Sequence, residues 1–407
     1  MAVLESAADA AAEAPAWRGG FGRLWSAAVV SRFGDALRTA ALPLLAASLT
    51  TDPMLVALVT AGGFLPWLLF GLLGGAVADR VDQRRAMWAV DLVRGVLMAA
   101  FAAAVALGHA SIALLIALAF ALTALETLFD NAATALLPAL VPRPALGRAN
   151  ARLMTGQQLV GGFLAAPLVP LLLTAGDGVP YVADALTFAL AAALVASLRT
   201  PAPERAARKP GSTLRAETAE GLRALWSERS LRVLCVATTL CNTGVGALVA
   251  TLVLHVTGWL HAGHGGYAAA IAAYGAGSVA GGLLATGVAR RLGRLGSVLM
   301  AGVIQTVCLA AIGSIRELWV SIAAMAVFGV MGMVWNVNQV TLMQERTPQA
   351  MLGRTSAAFR TLAVAGAPLG ALLGGAAASS WGLNTPALVA SGLFLAAVAA
   401  LIPALTS

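Results

Sequence analysis

Long apolar runs separated by short polar breaks make up almost the whole chain. A helix that spans a bilayer needs about 20 predominantly apolar residues, and no long stretch shows the alternation with a period of two that a membrane β-barrel requires. The pattern therefore predicts an all-α membrane protein. Its twelve predicted transmembrane helices lie at about residues 22–49, 54–78, 86–107, 111–137, 146–173, 179–198, 231–258, 265–289, 295–315, 318–344, 350–378 and 384–404.

One segment in the middle of the chain interrupts the apolar pattern. It begins with the Pro-rich basic stretch R-T-P-A-P-E-R-A-A-R-K-P-G-S and continues as an amphipathic segment with Leu222, Leu225 and Trp226 on one side. We expect a cytoplasmic linker whose helix lies on the inner membrane surface. The predicted division is a cytoplasmic N-terminal tail (1–21), a six-helix bundle (22–198), the linker (199–230) and a second six-helix bundle (231–407).

Basic residues in the loops set the expected orientation, because lysine and arginine favour the cytoplasmic side. The connections that follow odd-numbered predicted helices contain a single basic residue, Arg316. The connections that follow even-numbered helices contain clusters of arginine. Both termini are therefore expected in the cytoplasm. The clustered arginines are Arg80, Arg84, Arg85, Arg143, Arg148, Arg290, Arg291, Arg294, Arg346 and Arg354.

The composition excludes several classes of protein. Charged residues make up 11% of the chain, against about 25% in a soluble domain. The net charge of +8 comes from short arginine clusters between apolar runs, which is the positive-inside pattern and not a nucleic-acid-binding surface.

The three cysteines and four histidines show no metal-ligand spacing, and there is no phosphate-binding loop. We expect no metal, no cofactor and no enzymatic activity.

The two halves of the sequence repeat at one fixed offset. The first-half residues are Gly71, Gly75, Arg84, Arg85 and Leu146-Gly147-Arg148, and their counterparts are Gly277, Gly281, Arg290, Arg291 and Leu352-Gly353-Arg354. One offset that holds at two separate loops predicts two pseudo-symmetric six-helix bundles. Asp79 has no acidic counterpart in the second half, where the matching position is Ala285.

A charged motif ends the second predicted helix. Residues 71–85 read G-L-L-G-G-A-V-A-D-R-V-D-Q-R-R. This stretch resembles the G-x-x-x-D-R-x-G-R-R loop of major facilitator superfamily transporters, and its D-R-x-D-x-R-R form resembles the drug-exporter branch that includes bacterial siderophore and macrolide exporters. The resemblance implies the major facilitator fold and a gating role for the motif. Its residues are Gly75, Asp79, Arg80, Asp82, Arg84 and Arg85.

Ionisable residues within the apolar helices are candidates for function, because a charge inside a membrane is costly. The proton-coupling candidates are Arg32, Asp35 and Arg38 in the first helix and Glu126 and Asp130 in the fourth. A rise of 1.5 Å per residue places Arg32, Asp35 and Glu126 at similar depth. We predict that Asp35 or Glu126 binds a coupling proton. The alternative is a static ion pair that holds the two helices together.

The remaining intramembrane polar residues divide between the halves. Asp91, five residues beyond Arg85, is assigned to the inner charge cluster, and Asp184 to a local hydrogen bond or cap. The C-terminal half is interpreted as nearly free of intramembrane charge, and its neutral polar residues are expected to contact substrate. The substrate-cavity candidates are Asn242, Asn336, Asn338 and Gln339.

The resemblance implies a secondary active transporter that works by alternating access. We expect proton antiport and efflux of a small amphipathic molecule, such as a drug in multidrug resistance, a siderophore or a secondary metabolite. The expected protein is a monomer in a bacterial inner membrane whose partners are the substrate, protons and the lipid bilayer. Two alternatives stay open: an importer or facilitator of the same fold, and a non-transporting membrane sensor or enzyme.

Overall fold

The computed structural model describes residues 19–78, 82–142, 145–198, 214–347 and 351–402, and these residues form helices with no strand. The all-α prediction is therefore confirmed. The helices are α1 (Gly20–Leu49), α2 (Pro53–Ala78), α3 (Gln83–Ala106), α4 (Ile112–Leu140), α5 (Leu146–Leu159), α6 (Leu168–Ala175), α7 (Val179–Ala196), α8 (Leu214–Ser227), α9 (Arg229–Leu254), α10 (His264–Ser314), α11 (Leu318–Arg346), α12 (Leu352–Trp381) and α13 (Thr385–Leu401).

These helices account for the twelve predicted membrane passages. Seven segments of the described chain are long and apolar enough to cross a membrane, and Pro53–Leu69 and Thr385–Leu401 are shorter apolar helices. Helix α10 contains two passages, because Gly293 breaks it with a φ of 70° that favours glycine. Helices α5 and α6 form one passage, and a π-helical turn at Val160–Leu164 separates them. Pro167 follows this turn and lacks the amide hydrogen that an uninterrupted helix would need.

The chain folds into two compact units. The first unit contains the described residues within Met1–Thr39, Leu73–His109 and Leu122–Ala207, and the second those within Ala40–Leu72, Ala110–Ala121 and Arg208–Ser407. The N-terminal half of the sequence therefore contributes to both units. The predicted boundary at residues 199–230 stays a prediction.

The first unit has a core of large side chains. Leu24 of α1, Met87 of α3 and Leu137 of α4 are almost completely buried in one cluster, with Ala149 of α5 and Val195 of α7. The five helices thus share one apolar interior. Lipid tails are as apolar as these side chains, so van der Waals packing, not removal of apolar surface from water, holds the helices together. This packing fixes the polar residues of α1, α3, α4 and α7 against one another.

Backbone contact, not large side chains, joins α9 and α12 in the second unit. A methyl group added at Gly370 of α12 would overlap the carbonyl of Thr243 on α9, and one added at Gly374 would lie 2.6 Å from the carbonyl oxygen of Ala247. The contact is reciprocal, because a methyl at Gly246 of α9 would meet the carbonyl of Ala367. Small residues on both helices therefore allow the close approach that is common between membrane helices.

Gly370→Ala should destabilise the second unit, because the added methyl has no room against α9. Overpacking of this kind costs about 1–3 kcal/mol, and we expect a lower melting temperature of the purified protein in detergent. Gly392→Ala on α13 is the matched control, since nothing lies within 4 Å of the position that its new Cβ would occupy. Equal melting temperatures for the two variants would contradict the close α9–α12 contact.

Helix α8 lies within the segment predicted to be the linker, and its described residues pack within the second unit. Leu225 is fully buried, whereas Leu222 and Trp226 are exposed. Glu220 pairs with Arg354 near the start of α12, and Gly221 approaches the Arg354 carbonyl closely. The helix therefore rests on α12, and its position on the membrane surface stays a prediction.

Candidate functional site

Charged side chains from four helices meet inside the first unit. The members of this charge network are Ser31, Arg32, Asp35 and Arg38 of α1, Asp91 and Arg94 of α3, Glu126 of α4 and Asp184 of α7. Most of them are buried: Asp91, Arg94 and Asp184 are 0% exposed. Arg32 differs, because its side chain is 43% exposed. The network therefore has a closed interior and one accessible end.

Asp35 lies between two arginines. Its Oδ1 accepts a hydrogen bond of 2.8 Å from Nη2 of Arg38, three residues further along α1, and a second hydrogen bond from Nη2 of Arg94 on α3. One carboxylate oxygen thus connects α1 to α3 through charge-assisted hydrogen bonds, which are about twice as strong as neutral ones.

Arg94 is the most enclosed cation of the network. Its Nη1 lies 3.4 Å from Oδ1 of Asp91 and donates to Oγ of Ser31 at 3.2 Å. Ser31 in turn donates to Asp91 at 3.3 Å. The guanidinium carbon lies 4.1 Å from the ring centroid of Phe188 on α7, a cation–π geometry. Arg94 therefore contacts α1 and α7 as well as its own helix.

Arg38 faces three carboxylates on three helices. Besides Asp35, its Nη2 lies 3.9 Å from Oε2 of Glu126 on α4, and its Nε lies 3.8 Å from Oδ2 of Asp184 on α7. Glu126 also pairs with Arg32 through Oε1. Arg38 is therefore placed to shift its contacts among α1, α4 and α7 when the charge of any one carboxylate changes.

The charges of the network do not balance. The ion pairs described above join four carboxylates (Asp35, Asp91, Glu126 and Asp184) to three guanidiniums (Arg32, Arg38 and Arg94). Outside these ion pairs, Asp130 of α4 interacts electrostatically with Glu126 and Arg32. An isolated buried charge costs several kcal/mol or neutralises by binding a proton. The arrangement therefore has the composition of a site that can hold one proton.

The charged motif has described residues only in part. Asp79 and Arg80 lie outside the described residues. Asp82 caps α3, because its Oδ1 accepts a hydrogen bond of 3.0 Å from the backbone of Arg85, which is the bond an N-cap residue makes. Arg84 donates to the carbonyls of Val195 and Ala196 at the end of α7. These residues fasten helix ends within the first unit, as lysine and arginine commonly do at a helix C-terminus.

A cavity of about 410 Å³ lies inside the second unit. Helix α11 contributes a stripe of lining residues with helical periodicity, which includes Asn336 and Gln339, and Asn242 lines the cavity from α9. Asn338 lies off this stripe and does not line the cavity; its buried amide donates to the carbonyl of Val334 at 2.9 Å. Three of the four substrate-cavity candidates thus come together, and the fourth does not.

Comparison with known proteins places the chain in a family. Residues 24–371 match the model of the Major Facilitator Superfamily. The chain belongs to the Major Facilitator Superfamily. It is 31% identical over 209 residues to uncharacterized MFS-type transporters of Mycobacterium tuberculosis and Mycobacterium bovis. Each match covers 48% of this chain and 47% of the relative, so the chain spans about half the length of the curated relatives it matches.

Solved structures of known transporters share the fold. A mutant of the nucleoside transporter NupG matches with a TM-score of 0.79 and 10% identity, over 94% of this chain and 99% of that one. An auto-inhibited POT-family peptide transporter matches with a TM-score of 0.68 and 15% identity, over 94% and 96% of the two chains. A bacterial homolog of the lysosomal transporter Spinster has a TM-score of 0.67 at 15% identity, over 95% and 94%. These likenesses confirm the twelve-helix fold, and the family match together with the apolar helices makes the chain a multi-pass membrane protein.

The geometry of this superfamily member changes several assignments made from sequence. Asp91 does not join the inner charge cluster near Arg85, because it is fully buried against Ser31 and Arg94. Asp184 makes the expected local contact with Thr187 at 3.5 Å but also faces Arg38. The proton-coupling candidates of α1 and Glu126 of α4 do meet, and Asp130 lies half-buried one turn further along α4.

The sequence marks Arg94, with Asp91, as an ionisable residue inside the third predicted helix, and Arg360 is the residue that sequence reasoning missed. Arg360 also stands inside an apolar helix, so the rule that intramembrane charges mark function would have found it. Arg360 lines the cavity of the second unit, although the C-terminal half had been interpreted as nearly uncharged. Its nearness to the cytoplasmic loop arginines in the sequence concealed it, because positive charge at a helix start fits the positive-inside pattern equally well.

Proposed function

We propose that this major facilitator protein is a proton-coupled secondary transporter that exports a small amphipathic molecule by alternating access. The observation that carries the proposal is the charge imbalance of the network, in which four buried carboxylates face three guanidiniums. One bound proton would balance the network, and its release would leave one carboxylate in excess. A network in this condition is suited to bind and release a single proton.

The arrangement of Arg38 supports a coupling role over a purely static one. A proton on Glu126 would weaken the ion pairs that Arg32 and Arg38 make with α4. Arg38 would then interact mainly with Asp35 and Asp184. Protonation thereby changes which helix α1 is tied to, at distances of 2.8 to 3.9 Å that are already within reach. Such a change in contacts gives the two protonation states different preferred packings, as a switch requires.

The export direction rests on the D-R-x-D-x-R-R form of the motif, in which Asp79 and Arg80 are proposed to gate the cytoplasmic side. Everted membrane vesicles test it. With an acidic lumen, a compound selected by thermal-shift screening should accumulate inside as protons leave. Accumulation that needs an alkaline lumen would mean import by proton symport. Equilibration to equal concentrations on both sides, whatever the pH gradient, would mean a facilitator. Either result would contradict the proposal.

We propose further that the protein lies in a bacterial inner membrane as a monomer with both termini cytoplasmic. A single cysteine introduced at Ser111 or Asn384 should react with an impermeant maleimide added to intact cells, and one at Ser212 should not. The background lacks the three native cysteines, Cys235, Cys241 and Cys308, all of which are buried. Labelling at Ser212 alone would reverse the topology.

A further inference from the structure

We propose that the cavity of the second unit binds an organic anion, with its carboxylate against Arg360 and its ring system among the aromatic side chains of α10, α11 and α13. The inference rests on the proposed transport function and specifies the substrate class. It follows from three properties of the cavity: its aromatic wall, its unpaired buried polar atoms and its single charged side chain.

Aromatic rings form one wall of the cavity. The ring centroids of Tyr274 and Phe328 lie 6.2 Å apart, and those of Phe328 and Phe394 lie 5.7 Å apart. Both separations fall in the range in which rings attract one another by offset or tilted packing. Trp335 and Phe359 add two further apolar surfaces. A flat hydrocarbon or aromatic group of a ligand would extend this cluster.

Three buried polar atoms at the cavity have no hydrogen-bond partner among the described residues. They are Nε1 of Trp335, Oε1 of Gln305 and Oγ1 of Thr238, and all three residues line the cavity. The large majority of buried side-chain polar atoms have a partner, so three unpaired ones around one cavity favour a ligand that carries polar groups. Trp335 supplies a donor, whereas Gln305 supplies an acceptor.

Arg360 is the one permanently charged side chain among the described residues that line the cavity. None of the described carboxylates forms an ion pair with it: Glu220 of α8 and Glu345 of α11 pair with Arg354 and Arg294 instead. The planar guanidinium offers two parallel N–H donors that fit a carboxylate. The cavity therefore combines an unpaired cation with an apolar, hydrogen-bonding interior.

These features define the ligand as an amphipathic monoanion. The volume of about 410 Å³ lies at the lower end of the range for small-molecule sites, about 300–1,000 Å³, so a scaffold of one to three rings fits it. The amides of Asn336 and Gln339 line the cavity and can bind further polar substituents. The amide nitrogen of Asn242 donates to the carbonyl of Ala363, which leaves its oxygen as an acceptor. Cationic amphiphiles are disfavoured, because their charge would face Arg360.

Binding of a matched probe series to the purified full-length chain tests the inference. The probes are radiolabelled naphthalene-2-carboxylate, with naphthalene-2-carboxamide and naphthalen-2-ylmethylammonium as competitors of similar shape. We expect the carboxylate to bind about 10- to 100-fold more tightly than the amide, since hydrogen bonds to a charged group contribute about 1.5–3 kcal/mol, and the ammonium to compete least. This comparison uses the unmodified protein, so it does not depend on whether a variant folds.

Variants then locate the site. Arg360→Gln should lower affinity for the carboxylate to that of the amide and leave amide binding within about twofold, whereas Arg360→Lys should retain part of the preference. Arg316→Gln is the control, because Arg316 contacts the carbonyl of Trp259 at 2.7 Å and does not line the cavity. Phe328→Ala should weaken the carboxylate and the amide alike.

Three outcomes would overturn the inference: no binding of any probe, equal or better binding of the ammonium, and carboxylate binding that Arg360→Gln leaves unchanged. Failure of the transport function has a different signature. A chain that binds naphthalene-2-carboxylate through Arg360 but moves none of it into or out of proteoliposomes would support the anion site and contradict the proposed transport.

Discussion

Glu126→Gln should abolish substrate transport driven by a pH gradient while substrate exchange continues. Glutamine keeps the shape of the side chain and can still accept a hydrogen bond from Arg32. It also removes one of the four carboxylates, so the network of three carboxylates and three guanidiniums balances without a proton. The variant should therefore fold and bind substrate but respond to no pH gradient. Everted vesicles and counterflow in proteoliposomes measure the two activities separately.

The static ion pair left open by the sequence predicts another result. If Glu126 only holds α4 against α1, its loss leaves Arg32 and Arg38 partly uncompensated, and removal of one partner of a buried pair costs about 3–5 kcal/mol. The protein would then melt early, and exchange would fall together with driven transport. Glu345→Gln is the control, because Glu345 pairs with Arg294 at 2.7 Å on an exposed surface. Normal pH-driven transport in Glu126→Gln would exclude Glu126 from coupling.

Arg94→Met should be among the most destabilising single substitutions in the first unit. Methionine fills a similar volume but leaves four carboxylates facing only two guanidiniums, and both Asp35 and Asp91 lose a partner. Breaking buried ion pairs of this kind costs about 3–5 kcal/mol. We expect a large fall in the melting temperature of the protein in detergent, and poor expression at 37 °C.

The double variant Asp91→Asn/Arg94→Met identifies the cause of that loss. Removing the charge of Asp91 should recover a substantial part of the lost stability, since one unpaired carboxylate disappears with it. Arg85→Met provides the surface comparison: the side chain of Arg85 is 81% exposed and pairs with Asp82 at 3.6 Å, and exposed pairs contribute about 0–1 kcal/mol. If Arg94→Met melts no lower than Arg85→Met, the network does not stabilise the unit as described.

Much of the fold follows from the apolar pattern alone. The break near residue 293 was predictable because R-R-L-G-R interrupts the hydrophobic run, and glycine there adopts a positive φ. The interruption between α5 and α6 was not predicted, because a π-helical turn leaves no polar residue in the sequence and shows only as a Gly-Gly pair before a proline. The assignment of residues 40–72 to the second unit depends on tertiary packing, in which Ala57 meets Ala250 and Ala371.

The candidate site was predictable to the extent that depth and helix periodicity determine it. Arg32 and Glu126 lie at similar predicted depths in the membrane, which predicts that they can meet. In the structure they form an ion pair. The partners of Asp35 were harder to foresee, because a count along α1 reveals Arg38 but not Arg94, whose approach depends on how α3 packs against α7. Asn338 is a candidate for the cavity only because it is a polar residue in an apolar helix. Neighbouring helical residues are rotated by about 100° from one another, and this rotation places Asn338 away from the stripe of α11 that lines the cavity.

The glycine contacts between α9 and α12 restrict how the shape of the proposed binding cavity can change. Asn242 on α9 donates to the carbonyl of Ala363 on α12 at 2.8 Å. This contact lies about two turns along α12 from Gly370, whose backbone touches that of Thr243. Because the two helices pack backbone against backbone, the distance between the positions of Asn242 and Arg360 is fixed. Substitutions can change the side chains at these two positions, but space for a larger molecule would have to come from α10, α11 and α13.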